Sequence, residues 1–99
     1  MIVVRDEFQL RFGKAREMKA LLIEGRELIV RFQPTRQMRA LADLTGPAYR
    51  VVLETTYESL AEYEQSISST LGAEEWQAWY TRVVPLVESS NREILTIIV

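Results

Sequence analysis

A chain of 99 residues, 47% hydrophobic and 26% charged, has the size and composition of one globular domain spanning 1–99, with no room for a second core. Its net charge of −2 comes from 12 basic residues interleaved with 14 acidic ones. That interleaving argues against a non-specific nucleic-acid binder, because counterion release needs a basic face. Cysteine and histidine are both absent, which removes zinc centres, thiolate nucleophiles, disulfides, Ser-His-Asp triads and histidine-ligated haem from the chemistry this chain can supply alone.

The first residues, Met1 to Asp6, start apolar but carry charge by Arg5, a pattern that predicts neither a signal peptide nor a membrane span. A cytoplasmic protein with no membrane partner is expected. Residues 2–12 alternate: Ile2, Val4, Phe8, Leu10 and Phe12 share one parity with Asp6, and Val3, Arg5, Glu7, Gln9 and Arg11 share the other. This predicts a long first strand. After Gly13 and Lys14, residues Ala15, Met18, Leu22, Gly25, Ile29 and Phe32 recur at helical spacing, widened by Leu21 and Leu28, and predict an amphipathic helix that ends before Pro34. Glu27 and Arg31 are placed for an i,i+4 pair on its outside. Gly25 within the stripe costs about 1 kcal/mol relative to alanine, and close approach of the helix to the sheet is the expected compensation.

Alternation returns over 37–45, with Met38, Ala40, Ala42 and Leu44 on one parity and Arg39, Leu41, Asp43 and Thr45 on the other. Gly46-Pro47 supplies a short turn of two or three residues into a third strand, Tyr49 to Tyr57. Ser59-Leu60-Ala61-Glu62 then reads as a capping box opening a helix, with Leu60, Tyr63, Ile67 and Leu71 as its stripe and Gly72 as its C′ residue. A further helix from Ala73 carries Trp76, Tyr80, Val83 and Val87 in phase through Pro85, which predicts a kinked continuous helix closed by Ser89-Ser90-Asn91. Ile94 to Val99 forms the last strand.

The order β-α-β-β-α-β is that of the ferredoxin-like fold, an α+β architecture with a four-stranded antiparallel sheet, the first and third strands central and both helices on one face. The parity holding Val4, Phe8, Leu10, Met38, Ala40, Leu44, Val51, Leu53 and Tyr57 is expected beneath the helices. The opposite face is mixed and carries Arg5, Glu7, Arg39, Asp43, Arg50 and Glu54. One parity of the apolar final strand must also point outward, and covering three such side chains would contribute several kcal/mol at about 25 cal/mol per Å². Pairing of two sheets as an isologous homodimer is therefore expected.

The segments Phe8-Gln9-Leu10-Arg11-Phe12-Gly13-Lys14-Ala15-Arg16-Glu17, Val52 to Tyr63, Trp76-Gln77-Ala78-Trp79 and Pro85-Leu86-Val87-Glu88-Ser89 resemble the NIPSNAP-like members of the dimeric α+β barrel superfamily. The resemblance implies a homodimer with a shared barrel and a pocket in each protomer, related to cofactor-independent antibiotic-biosynthesis monooxygenases, haem-degrading enzymes and isomerases. Haem-degrading relatives usually offer the iron a histidine that this chain lacks, and its one asparagine, Asn91, falls at an expected helix end.

Two readings of the charged face follow. In one, Arg5, Glu7, Arg39, Asp43, Arg50 and Glu54 line a polar chamber in which arginines hold a carboxylate or enolate of a small organic ligand while a carboxyl group moves a proton, with no bound cofactor. In the other, the same charges satisfy one another in a non-catalytic dimer module. The aromatic set Tyr63, Trp76, Trp79 and Tyr80 is either core or the wall of a planar-ligand pocket. An RNA-binding sheet is disfavoured, because the exposed parity of the central strands holds no aromatic residue for base stacking.

Overall fold

Four strands and three helices make up the computed structural model, which describes residues 1–99 except the side chain of Leu71. The elements are β1 (Ile2–Leu10), α1 (Ala15–Phe32), β2 (Met38–Ala42), β3 (Arg50–Tyr57), α2 (Leu60–Ser66), α3 (Glu74–Val83) and β4 (Val87–Thr96). A π-helical turn, Ile67–Leu71, follows α2, and a 3₁₀ turn, Val84–Leu86, follows α3. The sheet is antiparallel throughout, in the order β2-β3-β1-β4. This is the expected ferredoxin-like arrangement, with β1 and β3 central.

The core forms between one sheet face and the helices. Leu10 and Val51 from the sheet meet Met18 and Leu21 of α1, Trp79 and Val83 of α3, and Leu86. A second cluster joins Val4 and Tyr57 to Tyr63 of α2, where the Tyr57 and Tyr63 rings meet edge to face at 5.2 Å. The parity assigned to the helix side is therefore observed for Val4, Phe8, Leu10, Val51, Leu53 and Tyr57.

Several expected boundaries shift, each for a local reason. β1 ends at Leu10, and Phe12, expected on the apolar face, is 89% exposed and packs its ring on Tyr49 at 5.1 Å. β2 stops at Ala42 and leaves Leu44 96% exposed. The connection to β3 covers 43–49 instead of two or three residues, because Gly46 and Tyr49 both adopt positive φ and break the pleat before Arg50. The Tyr49 carbonyl in that conformation accepts from the Leu10 N–H at 2.7 Å.

The capping box is present: the Glu62 N–H donates to the Ser59 hydroxyl at 3.2 Å. The Glu62 carboxylate, however, reaches the Glu58 N–H. The buried side of this segment is Tyr63, Ser66 and Thr70, whereas Leu60 and Ile67 are exposed; Leu71 lies outside the described side chains. The inward hydroxyls of Ser66 and Thr70 both accept from the Gln33 amide, so a polar stripe substitutes for the expected apolar one. Gly72 keeps a right-handed φ of −83° and makes no left-handed cap.

The largest difference is at Pro85. α3 ends at Val83, and the chain passes through the 3₁₀ turn straight into β4, so Val87, Ser89, Ser90 and Asn91 lie in a strand and not in a kinked helix. Proline has no N–H to donate to the helical ladder and its ring crowds the preceding turn, so the α-helix gives way to the 3₁₀ turn that carries Pro85 in its first positions. β4 then runs along β1, pairing Asn91 with Glu7 and Leu95 with Val3. Gly25 approaches Trp79 of α3 and not the sheet, and Arg31 pairs with Glu75 at 2.7 Å in place of Glu27.

Candidate functional site

Strand register decides which charges meet on the outer sheet face. Arg39 lies opposite Glu54, Glu54 opposite Arg5, and Arg5 opposite Glu93, so one row across all four strands alternates in sign. The side chains follow this order. The Arg39 Nε–H donates to Glu54 at 2.7 Å, and Arg5 stands 3.6 Å from Glu54, 3.5 Å from Glu93 and 3.5 Å from Glu7. Arg50 continues the network, donating to Glu7 at 3.2 Å.

Five of the residues singled out from sequence, Arg5, Glu7, Arg39, Arg50 and Glu54, therefore form one connected network, completed by Glu93, which the sequence reading missed. The expectation of a last strand starting at Ile94 had placed Glu93 outside the sheet. Asp43 stands apart. Its carboxylate accepts from the Arg50 backbone N–H at 3.0 Å while its own N–H donates to the Arg50 carbonyl at 3.1 Å, a clamp at the base of the 43–49 loop.

Apolar side chains flank the charged row on the same face. Val52, in register between Leu41 and Glu7, is only 4% exposed although no helix covers it. Beyond the row lie Val3 and Leu95, with Leu95 44% exposed. The exposed end of the chain thus remains uncovered on this side.

Two further loci lie on the helix side. The first is an ion pair between Asp6 and Arg92, with Nε to Oδ1 at 2.5 Å. That hydrogen bond holds the Arg92 guanidinium more firmly protonated, and burial pushes the nearby Tyr63 hydroxyl above its ordinary value of 10 while the Arg92 charge partly opposes the shift. The sequence reading missed this pair because residues 89–91 were expected to close a helix. The aromatic set divides: Trp79 and Tyr63 are buried, whereas Tyr80 is half exposed. Trp76 packs on Trp79 at 4.6 Å, which supports the core reading for that pair.

The second is a groove of about 790 Å³ between α1 and the edge strand β2. Leu10, Leu22, Met38 and Val51 contribute apolar walls, and Arg16, Lys19 and Arg26 of α1 line its rim. Their spacing of three and seven residues puts these cations on one helix face. That signal was present in the sequence but lay outside the buried stripe used to identify the helix.

The NIPSNAP family model matches residues 7–99. A NIPSNAP family protein from Agrobacterium tumefaciens is 26% identical, with 97% of this chain and 84% of that one covered at a TM-score of 0.87. A NIPSNAP domain protein from Burkholderia xenovorans is 21% identical, with 98% and 94% covered at 0.86. SnoaB, a cofactor-independent oxygenase from Streptomyces nogalater, shares the fold at 13% identity, 98% and 92% coverage and a TM-score of 0.76. A comparison with curated proteins returned no match. No helix among the described residues is long and apolar enough to cross a membrane. A family match over residues 7–99, nearly the whole length, makes this chain a member of the NIPSNAP family.

Proposed function

We propose that this protein is a homodimeric small-molecule-binding protein in which two outer sheet faces pack together and enclose the charged row. The observation that carries the reading is the sign alternation Arg39, Glu54, Arg5, Glu93 on a face that no helix covers. Two sheets packed face to face sit about 10 Å apart. A two-fold axis lying between them and running along the strands reverses the row, setting Arg39 over Glu93 of the other copy and Arg5 over Glu54. An axis running across the strands would instead set each charge over itself. The row is thus self-complementary in one orientation and self-repelling in the other, which is the matching an isologous interface needs.

Covering Val3, Leu41 and Leu95 supplies the apolar drive, of the order of several kcal/mol at about 25 cal/mol per Å². In this assembly Arg5, Glu7, Arg39, Arg50 and Glu54 line the enclosed space, and Asp43 shapes its mouth through the loop it clamps. A ligand carboxylate or enolate held by Arg50, with Glu7 or Glu54 moving a proton, is the chemistry such a chamber supports without a cofactor. Oxygenase or isomerase activity on an enolisable substrate follows from that arrangement, and the shared fold with a cofactor-independent oxygenase agrees with it.

The second reading, a non-catalytic dimer module, draws on a specific feature: each charge in the network already has an opposite partner on its own sheet. Two experiments separate these readings and test the pairing itself. Leu95→Glu, placing a charge on the outer face, is expected to split the dimer in size-exclusion chromatography, while Tyr80→Glu on the helix side leaves it intact. A dimer that survives Leu95→Glu refutes the proposed interface. A crystal structure of the dimer then decides between chamber and zipper: open solvent beside Arg50 and Glu54 supports ligand binding, and a fully packed row leaves only the module.

A further inference from the structure

We propose that the groove between α1 and β2 binds an acidic amphiphile, a molecule with a single carboxylate and an unbranched apolar chain. The site lies on the helix side of the β2 edge, and Arg39 and Arg50 of the charged network also line it; all of its lining comes from one chain, so it does not rest on the pairing of two copies.

The groove exists because of a size mismatch. Along α1, Leu22 and Ile23 face strand β2, which answers with Met38 and then only Ala40 and Ala42. The register places Ala40 beside Leu53 and Ala42 beside Val51, on the parity that faces the helices, yet both alanines are exposed, because two methyl groups stand where larger side chains would close the core. The space left, about 790 Å³, falls within the roughly 300–1,000 Å³ of small-molecule sites. Its floor is dry: Leu10 is 1% exposed and Val51 6%.

Charge selects the class of occupant. Arg16, Lys19 and Arg26 rim the groove, and none of the three carries an ion pair or a side-chain hydrogen bond among the described residues. Of the acidic groups on α1, Glu17 is engaged by Lys14 at 3.3 Å and Glu24 by Arg82 at 2.9 Å, and Glu27 lines a different cleft, against α3. Asp43, the one carboxylate that lines the groove, is held by the Arg50 N–H. Three uncompensated cations therefore overlook an apolar floor. Arg16 and Lys19, one turn apart, form the head site, and Arg26 lies ten residues on from Arg16, about 15 Å along the helix. A carboxylate at the head site leaves its chain to run along the floor toward Arg26, past Ala40.

The test is isothermal titration of the full chain with dodecanoate below its micelle concentration, with dodecyltrimethylammonium as the chain-matched cation. The proposal expects one dodecanoate per chain and binding of the cation at least about tenfold weaker. Arg16→Gln with Lys19→Gln should weaken dodecanoate by about tenfold or more, with circular dichroism and Tm unchanged. Two variants fill the groove independently, Ala40→Phe and Ala42→Leu, and either one that folds should abolish uptake. Equal binding of anion and cation, no binding of dodecanoate, or uptake unaltered by the filling variants would overturn the site. So would association with phosphatidylglycerol vesicles in the absence of any dodecanoate binding. Size-exclusion chromatography of the same samples reports their oligomeric state, so failure of this site and failure of the dimer are read separately.

Discussion

Trp79 lies so close to Gly25 that a Cβ on the glycine would sit 2.6 Å from the indole Cζ2. The ring cannot easily retreat, because its Nε1–H donates to the Leu21 carbonyl at 2.6 Å and its other side packs on Trp76. This contact joins α1 to α3. Gly25→Ala gains about 1 kcal/mol of helix propensity but overpacks the contact at a cost of about 1–3 kcal/mol, increased by any loss of the indole hydrogen bond. The overpacking term is expected to win. Chemical denaturation should show Gly25→Ala less stable than the parent, whereas a more stable variant would mean the helices can move apart freely.

Arg36 joins the end of α1, strand β3 and helix α2 from one largely buried guanidinium. It donates to the Gln33 amide oxygen at 2.7 Å, to the Thr56 carbonyl at 2.9 Å and to the Glu62 carboxylate at 3.0 Å, and it stacks 4.0 Å from the centre of the Tyr57 ring. Removing it leaves those acceptors short of a donor, and bonds to charged groups contribute about 1.5–3 kcal/mol each in such settings. Arg36→Ala is expected to cost about 3 kcal/mol. Arg36→Lys should recover only part of this, because an ammonium cannot reproduce the planar fork. Urea denaturation midpoints of the two variants check the order.

Glu62 is the titrating group of the same junction. Its carboxyl is held below the ordinary value of 4.5, first by the Glu58 N–H and then by Arg36, with burial opposing. A folded-state value below the unfolded one contributes stability that is fully present above the unfolded value and is lost as pH falls through the folded value. Glu62→Gln should therefore lower Tm at neutral pH, and the gap between the two proteins should close as pH drops below 4.5. A gap that persists unchanged into strong acid would show that the charge on Glu62 is not what stabilises the junction.

The sheet was legible because its central strands alternate cleanly. Arg5, Glu7, Arg50 and Glu54 sit on one parity of β1 and β3, and pairing these strands brings them together without further information. β4 was hidden for the opposite reason. Residues 88–93 of this edge strand are polar on both faces and exposed, so no period-two signal marks them, while Val87 happens to continue the helical phase of Trp76 and Val83. Tertiary contact also overrode local pattern at Gly25, whose partner proved to be a helix, and along Ser66 and Thr70, whose inward hydroxyls make sense only beside Gln33. The α1 cations needed the position of β2 before they could be read as a rim.

The claim that two outer faces close on one another is tested most directly by sedimentation equilibrium of the unmodified chain at micromolar concentration. The account predicts a single species of twice the 11.5 kDa chain mass. A stable particle of one chain mass, with Leu95 and the charged row open to water, would contradict it.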